Sequence, residues 1–165
     1  MAEQNNGAVG ADQAQFSIQK IYVKDVSFEV PSAPQIFSEP GQPQLELNLN
    51  QKVGRVADGM FEVVLGVTLT CKLGEKPIYL AEVRNRLNNQ YDGGAGFDDR
   101  TLDMMLGTYC PNVLFPYARQ FLGELVAQGG FPPFYLQPIN FEALYAEGLR
   151  QRAQVAAVGG GELRQ

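Results

Sequence analysis

The 165-residue chain has no histidine and no tryptophan. Without an imidazole, Ser-His-Asp and Cys-His catalysis and most transition-metal sites are excluded. Carboxylates, Lys, Tyr or Cys would have to carry any chemistry alone. Cysteine is scarce as well: Cys71 and Cys110 are the two present, and two thiols without histidine do not make a zinc site. The N-terminus has no basic start followed by an apolar core, so no export signal is read. Reduced thiols in a cytoplasmic protein are the expectation. No apolar run approaches the length of a membrane span, which argues against direct insertion. Positive charge is thin, with 13 Lys and Arg against 18 Asp and Glu and a net charge of −5. No cluster of basic residues exceeds two or three, whereas a nucleic-acid surface needs a basic stripe. The chain therefore reads as a non-enzyme without cofactor, metal or catalytic residues.

What is present fits one domain. Residues 1–15 lack hydrophobic periodicity and read as a disordered tail. A folded body is expected over 16–152, and a flexible tail containing Gly159-Gly160-Gly161 over 153–165. Four strands come first. Phe16 to Val30 carries the first. Its second half alternates Val26, Phe28 and Val30 with Asp25, Ser27 and Glu29, so the two acids share one face. Between Ile18 and Val23 the alternation slips, which predicts a bulge. A proline-rich connection from Pro31 to Pro43 follows. The second strand alternates Leu45, Leu47 and Leu49 with polar residues. In the third, Met60 to Lys72, the residues Phe61, Val63, Leu65, Val67, Leu69 and Cys71 share a face. A turn at Leu73-Gly74-Glu75-Lys76 leads to a fourth strand, Pro77 to Val83. An antiparallel meander or a close variant is expected.

The second half reads as helical. Asp98 or Asp99 caps a helix, and Leu102, Met105, Leu106, Tyr109, Val113, Tyr117, Phe121 and Leu125 follow at three- and four-residue spacing. Pro111 and Pro116 would kink or divide this helix, and Gly129-Gly130 ends it. Asn140 caps another helix with Phe141, Leu144, Tyr145 and Leu149 on its apolar face. Strands followed by helices imply an α+β fold: a four-stranded antiparallel sheet with helices packed on one face.

Several residues are candidates for function. Cys110 and Cys71 read as small buried thiols, since no base is available to activate either. Asp25, Glu29 and Glu82 form either a solvated polar face or a docking patch for a basic partner. Phe131-Pro132-Pro133-Phe134-Tyr135-Leu136 is too apolar for an ordinary loop, and either covers the sheet or lines a groove with Ile36 and Phe37 as the opposite wall. The long helix has more apolar surface than one sheet face requires. A subunit interface through Leu106, Tyr109, Phe115, Tyr117 and Phe121 would use the surplus.

Four stretches carry a resemblance that spans nearly the whole body: Ile21 to Pro31 with Ala33-Pro34-Gln35-Ile36-Phe37 behind it, Phe61-Glu62-Val63-Val64-Leu65, Leu106 to Arg119, and Pro138 to Tyr145. The chain resembles the SecB family of export chaperones. The resemblance implies a homotetramer built as a dimer of dimers, with the long helices between dimers. It implies an ATP-independent holdase that keeps precursor proteins unfolded and delivers them to SecA. The positions matching Asp25, Glu29, Leu80 and Glu82 would receive the zinc-bearing, basic C-terminal tail of SecA, the zinc belonging to that partner. Client segments would lie in apolar grooves walled by Ile36, Phe37, Phe131, Phe134, Tyr135, Phe141, Leu144 and Tyr145, because adaptable aromatic surfaces accept many sequences. A SecB-like chaperone dedicated to a toxin–antitoxin partner is the alternative. One segment departs from the family pattern. After Glu82-Val83 the family continues with Gln, small residues, Gly, an aliphatic and Phe, whereas here Arg84 to Gly96 is polar and turn-prone. The expectation is that the fourth strand ends early or that a disordered loop replaces part of it.

Overall fold

A computed structural model describes residues 15–93 and 97–159. Four antiparallel strands form one sheet in the order β1-β4-β3-β2: β1 Phe16–Glu29, β2 Gln44–Ala57, β3 Met60–Leu73 and β4 Lys76–Tyr91. Strands β2, β3 and β4 are a meander joined by two-residue turns at Asp58-Gly59 and Gly74-Glu75. The first strand does not extend the meander in sequence order. It pairs with β4, so the connection over residues 30–43 carries the chain to the opposite edge of the sheet. That connection contains a short 3-10 helix, Gln35–Ser38, pinned by the buried side chain of Ile36.

Two bulges explain the slipped alternation of β1. Register shifts between Ile18 and Lys20 and between Val23 and Asp25 each insert a residue that reverses the in-out parity. Phe16, Ile18, Ile21, Val23, Val26 and Phe28 therefore all lie on the face shared with the buried β4 residues, and Asp25, Ser27 and Glu29 on the other.

The fourth strand does not end at Val83. It continues to Tyr91, paired on both sides, with Arg84, Asn85, Arg86, Leu87, Asn88, Asn89 and Gln90 in ladder register with β1 and β3. A central strand has its backbone groups satisfied by two neighbours, and this outweighs the poor strand propensity of its residues. The remainder of the divergent segment, 94–96, lies outside the described residues.

The helical layer covers the inner face. Asp98 caps α1 (Asp99–Met104), its Oδ1 accepting from the Thr101 N–H at 2.7 Å. A π turn, Met105–Tyr109, links α1 to α2 (Cys110–Gln128). Pro111 explains the turn: having no N–H, it leaves the carbonyls four and five residues back, Gly107 and Leu106, without a helical donor. Gln51 Nε2 of β2 serves both, at 3.2 and 3.5 Å. Pro116 sits inside α2, which continues through it.

The stripe that packs on the sheet is displaced by one residue from the one the spacing picks out. Leu106, Cys110, Leu114, Ala118, Leu122 and Val126 are buried at four-residue intervals, whereas Tyr109, Tyr117 and Phe121 are exposed. With Val63, Leu65, Val67, Leu69, Ala81, Val83 and Leu87 from the sheet, the buried stripe makes the core. Cysteine and alanine at 110 and 118 allow the helix to approach the sheet closely.

At its end, α2 closes with paired bonds from Gly130 N to Ala127 O (3.1 Å) and Phe131 N to Val126 O (3.2 Å), Gly130 having φ +87°. This aims Phe131 back over the sheet. The third helix, α3 (Phe141–Gly159), is capped by Asn140 Oδ1, which accepts from the Ala143 N–H at 2.9 Å. It includes residues 153–159, part of the stretch expected as a C-terminal tail, and all seven are exposed. Two glycines should respond oppositely to alanine. Gly130→Ala forces a left-handed backbone on a Cβ-bearing residue and should lower the unfolding free energy by about 1–2 kcal/mol. Gly148, in α3 with open space around its Cα, should gain about 0.5–1 kcal/mol as Ala. Urea titrations of the two variants check the signs.

Candidate functional site

Three surfaces gather the candidate residues. The first is an open apolar groove of about 440 Å³ at the end of the sheet where α2 terminates. Ile36 and Phe37 of the 3-10 turn form one wall, Phe131 and Phe134 the other, and Tyr79, Leu73 and Cys71 the floor. The rings make a continuous array. Phe37 stacks on Phe131 at 5.2 Å between centroids, Phe131 meets Tyr79 at a tilt at 5.0 Å, and Tyr79 meets Phe28 at 6.0 Å. Burial raises the pKa of both the Tyr79 phenol and the Cys71 thiol, so the floor is uncharged at neutral pH. Phe37 is 53% exposed, an aromatic edge left facing solvent.

Four of the eight residues expected in a client groove meet there: Ile36, Phe37, Phe131 and Phe134. The other four do not. Tyr135 turns outward, 52% exposed, with the Arg119 guanidinium 5.1 Å from its ring centre. Leu144 and Tyr145 line a separate cavity of about 340 Å³ with Gln51, Val53 and Gly107. Its geometry follows from Gly107, where a Cβ would stand 2.7 Å from the Tyr145 ring. Tyr145 also donates to Asp103 Oδ2 at 2.6 Å. Phe141 lines neither cavity: it is buried in the core, edge-on to Phe115 at 5.9 Å.

The second surface is the outer face of the sheet. Strand register brings Asp25, Glu29, Leu80 and Glu82 together, with Glu29 opposite Leu80 and Ser27 opposite Glu82. Arg84 stands opposite Asp25 and pairs with Glu82 at 2.9 Å. Beside them lies a polar network absent from the sequence reading. Tyr22 Oη donates to Glu62 Oε1 and Arg86 Nη1 to Glu62 Oε2, both at 2.7 Å. Those bonds, the Tyr22 bond first, hold the Glu62 carboxyl below its ordinary pKa. Its stabilising effect is therefore complete at neutral pH and is lost as pH falls through the lowered value. Period-two reading of β3 and β4 places Glu62 and Arg86 on this face, but joining them to Tyr22 requires the β1 bulges.

The third surface is the exposed flank of α2. Tyr109, Tyr117 and Phe121 remain there, while Leu106 and Phe115 belong to the chain's own core. Leu45, Leu47 and Val53 of the edge strand β2 are exposed on the face of the sheet that packs against α2.

Neither cysteine is placed for nucleophilic work. Both are buried, and burial pushes the Cys110 thiol up to about 12. Among the described residues no group of three His, Cys, Asp or Glu could hold a metal, and no helix is long and apolar enough to cross a membrane.

Comparison with known proteins shows the family and the fold. A family model described as preprotein translocase subunit SecB matches residues 10–152. A protein-export protein SecB of Xanthomonas campestris pv. campestris (strain 8004) is 58% identical over 153 residues, covering 91% of this chain and 88% of its own. The protein of the same name from Stenotrophomonas maltophilia (strain K279a) is 55% identical over 153 residues, covering 91% and 87%. That of Xylella fastidiosa (strain Temecula1) is 53% identical over 156 residues, covering 92% and 89%. Among solved structures, a SecB-like chaperone of Mycobacterium tuberculosis in complex with an antitoxin peptide superposes with a TM-score of 0.63. It is 17% identical and covers 75% of this chain and 90% of its own, a likeness of fold.

Proposed function

The chain belongs to the SecB family of protein-export chaperones, and from that premise we propose that it is an ATP-independent holdase that keeps precursor proteins unfolded and passes them to SecA for secretion. One observation carries the reading of how it holds them: the open, predominantly apolar, aromatic groove bounded by Phe37, Phe131 and Tyr79. An unfolded client exposes apolar side chains, and a stack of rings accepts them by area rather than by exact shape. The cavity beside Leu144 and Tyr145 is a second contact for the same client, and two weak contacts on one chain reinforce each other through effective concentration.

Delivery uses the outer face, where Asp25, Glu29 and Glu82 attract the basic tail of SecA and Leu80 supplies an apolar contact. The exposed aromatics of α2 and the bare inner face of β2 support assembly into a homotetramer, a dimer of dimers, working in the cytoplasm. The domain at 16–152 is the working unit, with α3 continuing beyond it to Gly159.

The test is refolding of a denatured precursor with the full-length protein in several-fold excess and no nucleotide. Refolding should slow markedly, and Phe37→Ser should weaken the effect about fivefold to tenfold, as loss of an aromatic anchor does. Refolding rates unchanged by the wild-type protein would overturn the holdase reading. Service to a toxin–antitoxin pair has one observation in its favour, the fold of the antitoxin-peptide complex. At 17% identity this is far less than the likeness to the export proteins.

A further inference from the structure

The outer acidic face contains its own cation. Arg84 Nε lies 2.9 Å from Glu82 Oε1, and Thr68 Oγ1 donates to Glu82 Oε2 at 3.1 Å. Both oxygens of Glu82 are thus engaged within the subunit. Arg84 is also the Cα partner of Asp25 across the β1–β4 ladder, which brings its charge beside a second acid. Asp25 and Glu29 make no ion pair among the described residues. Of the other cations on this face, Arg86 is committed to Glu62 at 2.7 Å and Lys24 also acts on Glu62, while Lys52 lines the hollow shared by Glu82 and Arg84 without an ion pair among the described residues. The Arg84 side chain is half exposed, with no part in the core.

Resting on the reading of this face as the docking site for a basic tail, we infer that Arg84 is a built-in competitor for that tail. Its guanidinium holds Glu82 and screens Asp25, and an arriving lysine or arginine has to displace it. An internal ion pair at an exposed surface is weak, so it tunes affinity without closing the site. The effect is one of charge. It should weaken as salt rises, because exposed pairs are screened. Arg84→Gln removes the charge while keeping a polar side chain of similar reach.

The experiment measures binding of a fluorescent, zinc-loaded SecA tail peptide by anisotropy, at low and at high salt. Arg84→Gln should bind about two- to fivefold tighter at low salt, the size of an exposed pair, and the gain should shrink at high salt. Arg84→Lys, which keeps the charge, should match the unsubstituted protein. If Arg84→Gln leaves affinity unchanged or weaker while Asp25→Ala/Glu29→Ala weakens it, the competitor is refuted and the docking site stands. Should Arg84→Lys tighten binding as much as Arg84→Gln, charge is not the cause and the competitor is again refuted. Binding indifferent to Asp25→Ala/Glu29→Ala would remove the docking site, and the competitor with it.

Discussion

Replacing Phe141 by Ala should release α3 from the rest of the protein. The ring is the one buried residue of that helix, 2% exposed and packed edge-on against Phe115. Truncating a buried phenylalanine costs about 3–5 kcal/mol. What else holds α3 is the half-buried Tyr145 ring against Gly107 and, beyond it, exposed polar contacts: Asn112 Nδ2 donating to Glu142 Oε1 at 2.9 Å and Tyr145 to Asp103. Exposed contacts of this type contribute roughly 1 kcal/mol each or less, too little to keep the helix docked. The expected result is selective. Amide exchange in α3 should rise by two orders of magnitude or more, the exchange factor for about 3 kcal/mol of local opening. Strands β3 and β4 should stay protected. Leu144→Ala, at a half-exposed position, should change little. Slow exchange of α3 in the Phe141→Ala variant would show that other contacts hold the helix. The same variant separates the two cavities, since only the one beside Leu144 and Tyr145 depends on α3. Client holding should fall partly, not vanish.

That Phe141 is an anchor and not a groove wall could not be read from spacing. Phe141, Leu144 and Tyr145 share a helical face by period, but how deep each lies depends on what α3 packs against. The same holds for α2. Its apolar positions fill two adjacent stripes, and the more aromatic one is the stronger in the sequence because large side chains dominate a hydrophobic pattern. The sheet selected the stripe with Cys110 and Ala118, since small residues let a helix sit close. Local signals were legible where the cause is local: the Asp98 and Asn140 caps, the Gly129-Gly130 stop, and the turns at the strand ends. The buried face of β3 was legible because period two is strict over six residues. The outer face was half legible. Asp25 and Glu29 share a side by alternation, but their meeting with Glu82 is a matter of register, and their proximity to Arg84 required β4 to continue beyond Val83.

Exchanging Asn85 and Asn89 for valine should stabilise the protein, by about 1–3 kcal/mol at each site. Both lie in the part of β4 whose composition argues against a strand, and both point into the core, 1% and 0% exposed. Asn85 faces Val23 and Leu65 across the ladders, and Asn89 faces Ile18 and Phe61. Neither Oδ1 has a hydrogen-bond partner. Asn89 Nδ2 has only the thiol of Cys110, at 3.8 Å, a weak acceptor. An orphaned buried polar group costs about 1–3 kcal/mol, and an apolar, β-branched residue removes that cost while suiting the strand. The sites are about 13 Å apart along an extended strand, so the two gains should add. Urea titration at one fixed protein concentration checks this, because apparent stability depends on concentration wherever a chain associates. An unchanged or lowered midpoint would mean that the amides are satisfied by an ordered water, or that valine overpacks the layer beneath α2. Since these side chains face away from Asp25 and Glu29, the double variant should bind the basic tail like its parent. Stability gained in the core would then leave the outer face unaltered, which makes the pair a control for every substitution on that face.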